Sequence, residues 1–274
     1  MRIPGIVHRS DLSTYGIDEA ARRRLLRLGL MVRVGTWYVR DTAPPEVVGL
    51  LAQGLRPTCV TAAPHHGLWT PLHDGAHVYR PRGLAAGGKP AELVMHGSDL
   101  RSWPDRDPVA SLEMTLDHAG RCLPVRDAAI LYESALNRRR LSEHAAQQLV
   151  AALPSSRRQQ LSRISPHAQS GTETAVRWWL ESLHVPVTPQ VRIPGVGRVD
   201  LQLGERWIIE CDSVRYHDSP QQYHLDRARD LQLQSLGYSV TRLTWEQVFL
   251  DWERTSALLL TILRRRDHRL RLAS

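Results

Sequence analysis

Gly197-Arg198-Val199-Asp200-Leu201-Gln202-Leu203, then Gly204-Glu205-Arg206, then Trp207-Ile208-Ile209-Glu210-Cys211-Asp212: apolar and polar residues alternate with period two on either side of a short turn. That pattern predicts a β-hairpin. In its second strand Ile208, Glu210 and Asp212 share one face, and Trp207, Ile209 and Cys211 the other. Glu210 and Asp212 therefore stand side by side after an apolar run, and Asp200 on the partner strand reaches the same end. Upstream, Val176, Trp179, Leu180 and Leu183 form an amphipathic helical stripe with Glu173 on its core-facing side. A carboxylate there needs a partner, because burying a lone charge is costly. Ser170-Gly171-Thr172-Glu173 also fits an S-x-x-E capping box, which by itself would explain Glu173. The hairpin carboxylates have a plain alternative too, as edge charges paired with Arg198 and Arg206.

Three carboxylates around one sheet edge, with a fourth on the preceding helix, form a donor set for a hard cation such as Mg²⁺ or Mn²⁺. The order Glu173, Asp200, Glu210-Cys211-Asp212 around a hairpin resembles the core of the PD-(D/E)XK nucleases. Downstream, His217, Tyr223-His224-Leu225-Asp226-Arg227-Ala228-Arg229-Asp230 and Leu236-Gly237-Tyr238-Ser239-Val240-Thr241-Arg242-Leu243-Thr244-Trp245 resemble the very-short-patch repair endonuclease branch and its relatives. The resemblance spans residues 170–265. It implies a restriction-endonuclease-like α/β fold and a catalytic set of Glu173, Asp200, Glu210, Asp212 and His217. It also implies metal on Asp200, Glu210 and Asp212, with His224, Arg227 and Asp230 in support. Asp212 stands where the nucleases carry lysine and the repair branch histidine, and Lys89 is the chain's only lysine. On residues alone, Asp226, Arg227, Arg229 and Asp230 read as a solvated, salt-bridged helix face.

The first 42 residues read as helix, turn, helix, hairpin. Ser10 is placed to cap a short helix through Tyr15, which Gly16 breaks. Asp18 is placed to cap a second helix with Ala21, Leu25 and Leu28 as its apolar stripe and Gly29 just past its end. Residues 30–34 and 37–39 flank a tight turn at Gly35-Thr36. That order is a winged helix-turn-helix. Arg22, Arg23, Arg24 and Arg27 lie opposite the apolar stripe, placed to enter a DNA major groove, while Arg33 and Arg40 on the wing would meet phosphates. The plainer account is a solvated arginine face. With Ala62-Ala63-Pro64-His65-His66-Gly67-Leu68 included, residues 1–85 resemble the AbiEi-type antitoxins of abortive-infection (type IV toxin–antitoxin) systems. This implies self-regulatory DNA binding and a cognate toxin partner. Proteins of this type often pair over two half-sites, so a homodimer fits the reading.

At 274 residues the chain is long enough for two or three domains. The expected division is a winged helix over 1–42, a mixed α/β antitoxin-like segment over 43–165 and a nuclease-like domain over 166–274, an α+β multidomain class. In the middle segment a helix is expected over 45–55, strands over 76–80 and 91–95, and helices over 126–137 and 142–153. Net charge is +8, and residues 1–42 carry 8 basic against 4 acidic side chains. A polyanion, duplex DNA foremost, is the partner this balance favours. Few aromatics flank the basic residues, which counts against single-stranded RNA. The longest apolar runs fall far short of the ~20 residues of a membrane span, and no signal core follows Met1. A cytoplasmic protein without a membrane partner is expected. Cys59, Cys122 and Cys211 are widely spaced and read as neither a disulfide framework nor a zinc pattern. His65, His66, His73 and His77, lacking cysteine or carboxylate at ligand spacing, read as loop histidines. The function expected is a Mg²⁺-dependent DNA endonuclease in phage defence, toxin–antitoxin control or DNA repair. The alternative is a transcriptional regulator or antitoxin with a catalytically inactive nuclease fold.

Overall fold

The computed structural model describes residues 3–80, 92–97, 107–212 and 220–270, with backbone alone for 220–223. The chain forms two compact units of mixed α/β structure. One comprises residues 1–68, 73–122 and 152–154, the other 69–72, 123–151 and 155–274. Residues 43–165, read above as one segment, are thus divided between the units, with 69–72, 123–151 and 155–165 in the second.

In the first unit, β1 (Ile6–His8) is followed by α1 (Glu19–Arg27), β2 (Val32–Val34) and β3 (Trp37–Val39). The three strands form an antiparallel sheet in the order β1-β3-β2, with Ile6 opposite Val39 and Arg33 opposite Tyr38. Asp18 caps α1 as the sequence suggests, its Oδ1 accepting from the Ala21 amide at 2.7 Å. Ser10 caps nothing; its hydroxyl donates to Asp11 instead, and the short helix shrinks to a 3₁₀ turn over Ser13–Tyr15. The inward stripe of α1 also differs from expectation. Leu25 and Leu26 pack on Leu12, Met31 and Tyr38, while Leu28, the C-cap, is 57% exposed. Arg22, one turn before that pair, follows the same stripe, its guanidinium 5.8 Å from the Tyr38 ring centroid.

The unit continues with α2 (Pro45–Ala52), β4 (Arg56–Pro57), α3 (Cys59–Ala62), β5 (Ala76–Tyr79), β6 (Leu93–His96) and α4 (Leu112–Cys122). The second sheet runs β4-β5-β6, with β4 antiparallel and β6 parallel to β5. Val47 and Leu51 of α2, Ala62 of α3, and Trp37 and Val39 share one core with Val109 and Ala110.

The second unit opens with α5 (Val125–Asn137), α6 (Glu143–Ala151) and α7 (Ser155–Leu161). Next come α8 (Gly171–Ser182), β7 (Val187–Ile193), β8 (Gly197–Leu203) and β9 (Trp207–Asp212). The chain then adds α9 (Pro220–Ser235), β10 (Ser239–Thr244), α10 (Trp245–Phe249) and α11 (Trp252–Arg265). β8 and β9 coincide with the two alternating runs. β7, β8 and β9 form an antiparallel meander, and β10 joins β9 in parallel on the far side of α9, giving the order β10-β9-β8-β7. Trp207, Ile209 and Cys211 bury one face with Leu201 and Leu203 against α8 and α11, through Val176, Leu180, Leu259 and Leu263. Ile208 lies in the opposite layer with Leu233 of α9.

α8 is held from below by a buried charge on α5. Glu133 is fully buried and ion-pairs with Arg177, itself 5% exposed at the side chain. The Glu133 carboxylate also accepts from Trp178 Nε1 at 3.0 Å, Thr174 Oγ1 at 2.9 Å and the Ser165 amide at 3.2 Å. Gly171 lets the helices close: a Cβ there would lie 3.2 Å from the Ile130 side chain of α5. Removing one partner of a buried pair strands the other, at a cost of about 3–5 kcal/mol. Glu133→Ala should therefore lose about that much in urea unfolding followed by tryptophan fluorescence, and Glu133→Gln, which keeps one acceptor oxygen for Trp178, less.

Candidate functional site

The hairpin carboxylates gather where β8 and β9 part. Backbone pairing between these strands runs from Leu203 opposite Trp207 to Leu201 opposite Ile209. Beyond that point Asp200 intervenes: its Oδ2 accepts from the Cys211 amide at 2.8 Å, replacing a ladder bond with a side-chain one. Asp200 also shares a hydrogen bond with Glu210.

Glu173 reaches the same place from the first turn of α8. Its amide donates to Ser170 Oγ at 3.1 Å, so half of the capping box forms. The carboxylate does not take the Ser170 backbone amide that would complete the box. Its Oε2 accepts from the Gln169 amide at 2.9 Å and from Gln190 Nε2 at 2.6 Å. Gln190 sits in β7 with φ of 55°, a left-handed conformation rarely adopted in mid-strand, and the same Nε2 lies 3.4 Å from Asp200 Oδ1. One amide nitrogen thus bridges two carboxylates on different elements. Gln190 Oε1 is buried without a hydrogen-bond partner among the described residues, whereas Glu210 Oε1, also buried, meets the Arg229 guanidinium as an ion pair.

The charges crowd one another. Burial pushes the Glu173 carboxyl up to about 7, and the neighbouring Asp200 adds to the rise. Burial and Asp200 likewise push Glu210 up to about 8, against the pull of Arg229 and Arg242. Asp200 itself is raised, chiefly by burial, although the Cys211 amide and Gln190 oppose the shift. Arg229 of α9 lies 3.1 Å from Glu210 and also donates to the Arg198 carbonyl.

Asp212 belongs to a second, adjacent group. Its Oδ1 accepts from Arg242 Nη1 at 2.9 Å, and Arg242 grips Asp230 of α9 through Nε and Nη2 at 2.8–3.2 Å. Arg227, which is exposed, lies 3.7 Å from Asp230. His224 is exposed on α9, and His217 lies outside the described residues. The structure therefore brings Glu173, Asp200 and Glu210 together and holds Asp212 and Asp230 beside them on one guanidinium. Gln190, Arg229 and Arg242 had no assigned role. Arg229 read as solvated, and Arg242 sits opposite Glu210 only through the parallel pairing of β10 with β9.

In the other unit, Arg23, Arg24 and Arg27 are exposed on α1, whereas Arg22 pairs with Glu19 and faces Tyr38. Arg23 also contacts Glu19, at 3.3 Å. Arg33 Nε donates to the Gly35 carbonyl at the hairpin turn. The histidine reading needs correction. His77 is buried on β5, His66 Nε2 donates to the Ala110 carbonyl, and Cys59 and Cys122 converge on His77 and His96. Chain spacing concealed this because strand pairing and two helix ends, not local sequence, bring the four together.

No protein-family model and no curated protein matches the chain. Among solved structures it is similar to the RV2827C protein from Mycobacterium tuberculosis, with 19% identity and a TM-score of 0.31 over 64% of this chain and 76% of that one. No helix among the described residues is long and apolar enough to cross a membrane.

The raised carboxyls make stability depend on pH. Folded, Glu173 and Glu210 keep their protons up to about 7 and about 8; unfolded, they release them near 4.5. The native state binds more protons across that interval, so stability falls as pH rises through it. In EDTA, urea midpoints should decline from about pH 5 to about pH 8, and Glu210→Gln should flatten the decline. A wild-type midpoint that rises over this range would contradict the crowding.

Proposed function

We propose that the chain is a DNA-binding protein whose C-terminal unit is a metal-dependent phosphodiester hydrolase, an endonuclease of PD-(D/E)XK type, carried to duplex DNA by an N-terminal winged helix-turn-helix. The observation that carries this reading is the Glu173–Gln190–Asp200–Glu210 group at the parted edge of β8 and β9. Its buried oxygens, with Gln190 Oε1 lacking a hydrogen-bond partner among the described residues, and its mutually raised carboxyls are a donor set that suits a hard divalent cation. Asp200 and Glu210, with Gln190 Oε1, are the residues that would hold Mg²⁺ or Mn²⁺, which when bound relieves charge on a phosphoryl oxygen and makes a bound water more acidic. Arg229 stays beside Glu210 as a fixed positive charge facing a polyanion. Glu173 orients Gln190. Exposed Arg23, Arg24 and Arg27 on α1, with Arg33 on the following hairpin, form the duplex contact of this reading.

A second reading rests on Arg242. The pairing of Asp212 with Arg242 and Asp230 leaves that carboxylate satisfied, at the position where a nuclease of this type carries its lysine. A regulator or antitoxin that binds DNA and does not cut it would look the same.

The decisive assay incubates supercoiled plasmid and labelled single strands with wild type and Asp200→Asn, in Mg²⁺, Mn²⁺ or EDTA. Nicking or linearisation that requires metal and falls to background in Asp200→Asn is the expected result. Equal cutting by both proteins would overturn the metal assignment. Tight duplex binding without cutting in either metal would favour the regulator. In both readings Arg23→Ala with Arg27→Ala should weaken duplex binding and reduce the slope of log K against log salt by about 2.

A further inference from the structure

The first unit holds a donor set unlike the carboxylates of the second. We propose that Cys59, His77, His96 and Cys122 form a closed, four-ligand site for a structural Zn²⁺ ion. Their donor atoms all lie within 4.8 Å of one another. His77 Nδ1 is 3.1 Å from His96 Nε2 and 3.8 Å from Cys122 Sγ. Zinc bonds of about 2.0–2.1 Å to nitrogen and 2.3 Å to sulfur, set tetrahedrally, give edges of roughly 3.3 Å between nitrogens and 3.5–3.8 Å to sulfur. The His77–His96 and His77–Cys122 edges already have nearly those lengths, and every other edge is within 4.8 Å.

Each ligand is held by a different element. Cys59 opens α3, His77 and His96 lie on the parallel strands β5 and β6, and Cys122 closes α4. Because β5 pairs Tyr79 with His96, His77 and His96 stand two register steps apart on one face of the sheet. Cys59 takes φ of 50°, a left-handed conformation for a residue with a side chain, which turns its Sγ into the cluster at the helix start.

The surroundings hold the backbone of His77 and the ring of His96 in place. The His77 amide donates to Thr61 Oγ1 at 2.7 Å, and its carbonyl accepts from the Thr58 amide at 2.9 Å. His118 stacks on His96 at 4.7 Å between centroids and is itself tied to Thr58 Oγ1 at 2.7 Å. Such support orients first-layer ligands and is where a metal site keeps its selectivity. Two thiolates and two neutral imidazoles balance a 2+ charge, so the buried centre would be neutral overall. Sulfur and nitrogen donors select zinc over magnesium. Four protein ligands fill a tetrahedron and leave no position for water or substrate, which makes the role structural. Cys59 and His77 are buried while Cys122 is exposed, and the exposed side gives the ion its way in. The ion would fasten α3 and α4 to a parallel pair only four residues long, a strand pair too small to be stable alone.

The test uses the full chain, purified under reductant from zinc-replete cells and dialysed against metal-free buffer. Elemental analysis should find about one zinc per chain, retained in Asp200→Asn and lost in Cys122→Ser and in His96→Asn. Cobalt exchanged into the wild type should give the intense visible bands of tetrahedral coordination together with sulfur-to-cobalt charge transfer. This readout stands even if the ligand variants do not fold. Zinc-free soluble wild type, zinc retained in Cys122→Ser and His96→Asn, or the weak spectrum of octahedral cobalt would each overturn the site. So would a Cys59–Cys122 disulfide trapped in freshly lysed cells.

Discussion

The buried carboxylate of Glu133 decides where the carboxylate cluster of the second unit stands. A fully buried charge is tolerated only when paired and hydrogen-bonded. Here its partners Thr174, Arg177 and Trp178 lie on successive turns of one face of α8, so satisfying Glu133 fixes both the rotation and the height of that helix. Glu173, one residue before Thr174, is carried with it to the edge of the sheet. The reach of Gln190 to both Glu173 and Asp200 depends on that placement. An apolar α5–α8 contact would hold the helices together equally well but would leave their register free to slide.

Around that anchor the second unit divides its charges into two adjoining groups. In the first, carboxylates exceed the cations available, and burial raises them. In the second, Arg242 is shared by Asp212 and Asp230, and Arg227 stands beside Asp230, so two cations meet two carboxylates. The sequence motif Glu-x-Asp joins the groups through neighbouring residues of β9, yet the electrostatic environments of Glu210 and Asp212 differ sharply. The crowded group thus stands beside a satisfied one, so the strands that carry it remain tied at their ends.

Much of this was legible because side chains alternate between the two faces of a strand, so phase alone says which residues share a face. β8 and β9 were bounded to the residue, and three of the clustered carboxylates followed from strand phase. Phase failed on α1, where Leu26 rather than Leu28 enters the core because the helix stops at Arg27. Gln190 carries no local signal, since its value lies in a left-handed backbone within β7. The four Cys and His ligands were invisible for another reason. Ligand spacing is informative only when one turn or hairpin supplies the ligands, and here four elements supply one each.

Arg229 and Asp230 are consecutive on α9 but face different tasks. The first gives a cation to Glu210, and the second gives an anion to the guanidinium that holds Asp212. α9 is therefore geared to both strand-end carboxylates at once: a small rotation about its axis would withdraw positive charge from one and release the partner of the other. Anything that presses on the exposed side of α9, where Leu225 and Leu231 are 65% and 68% open, acts on the charge of the sheet edge without touching it.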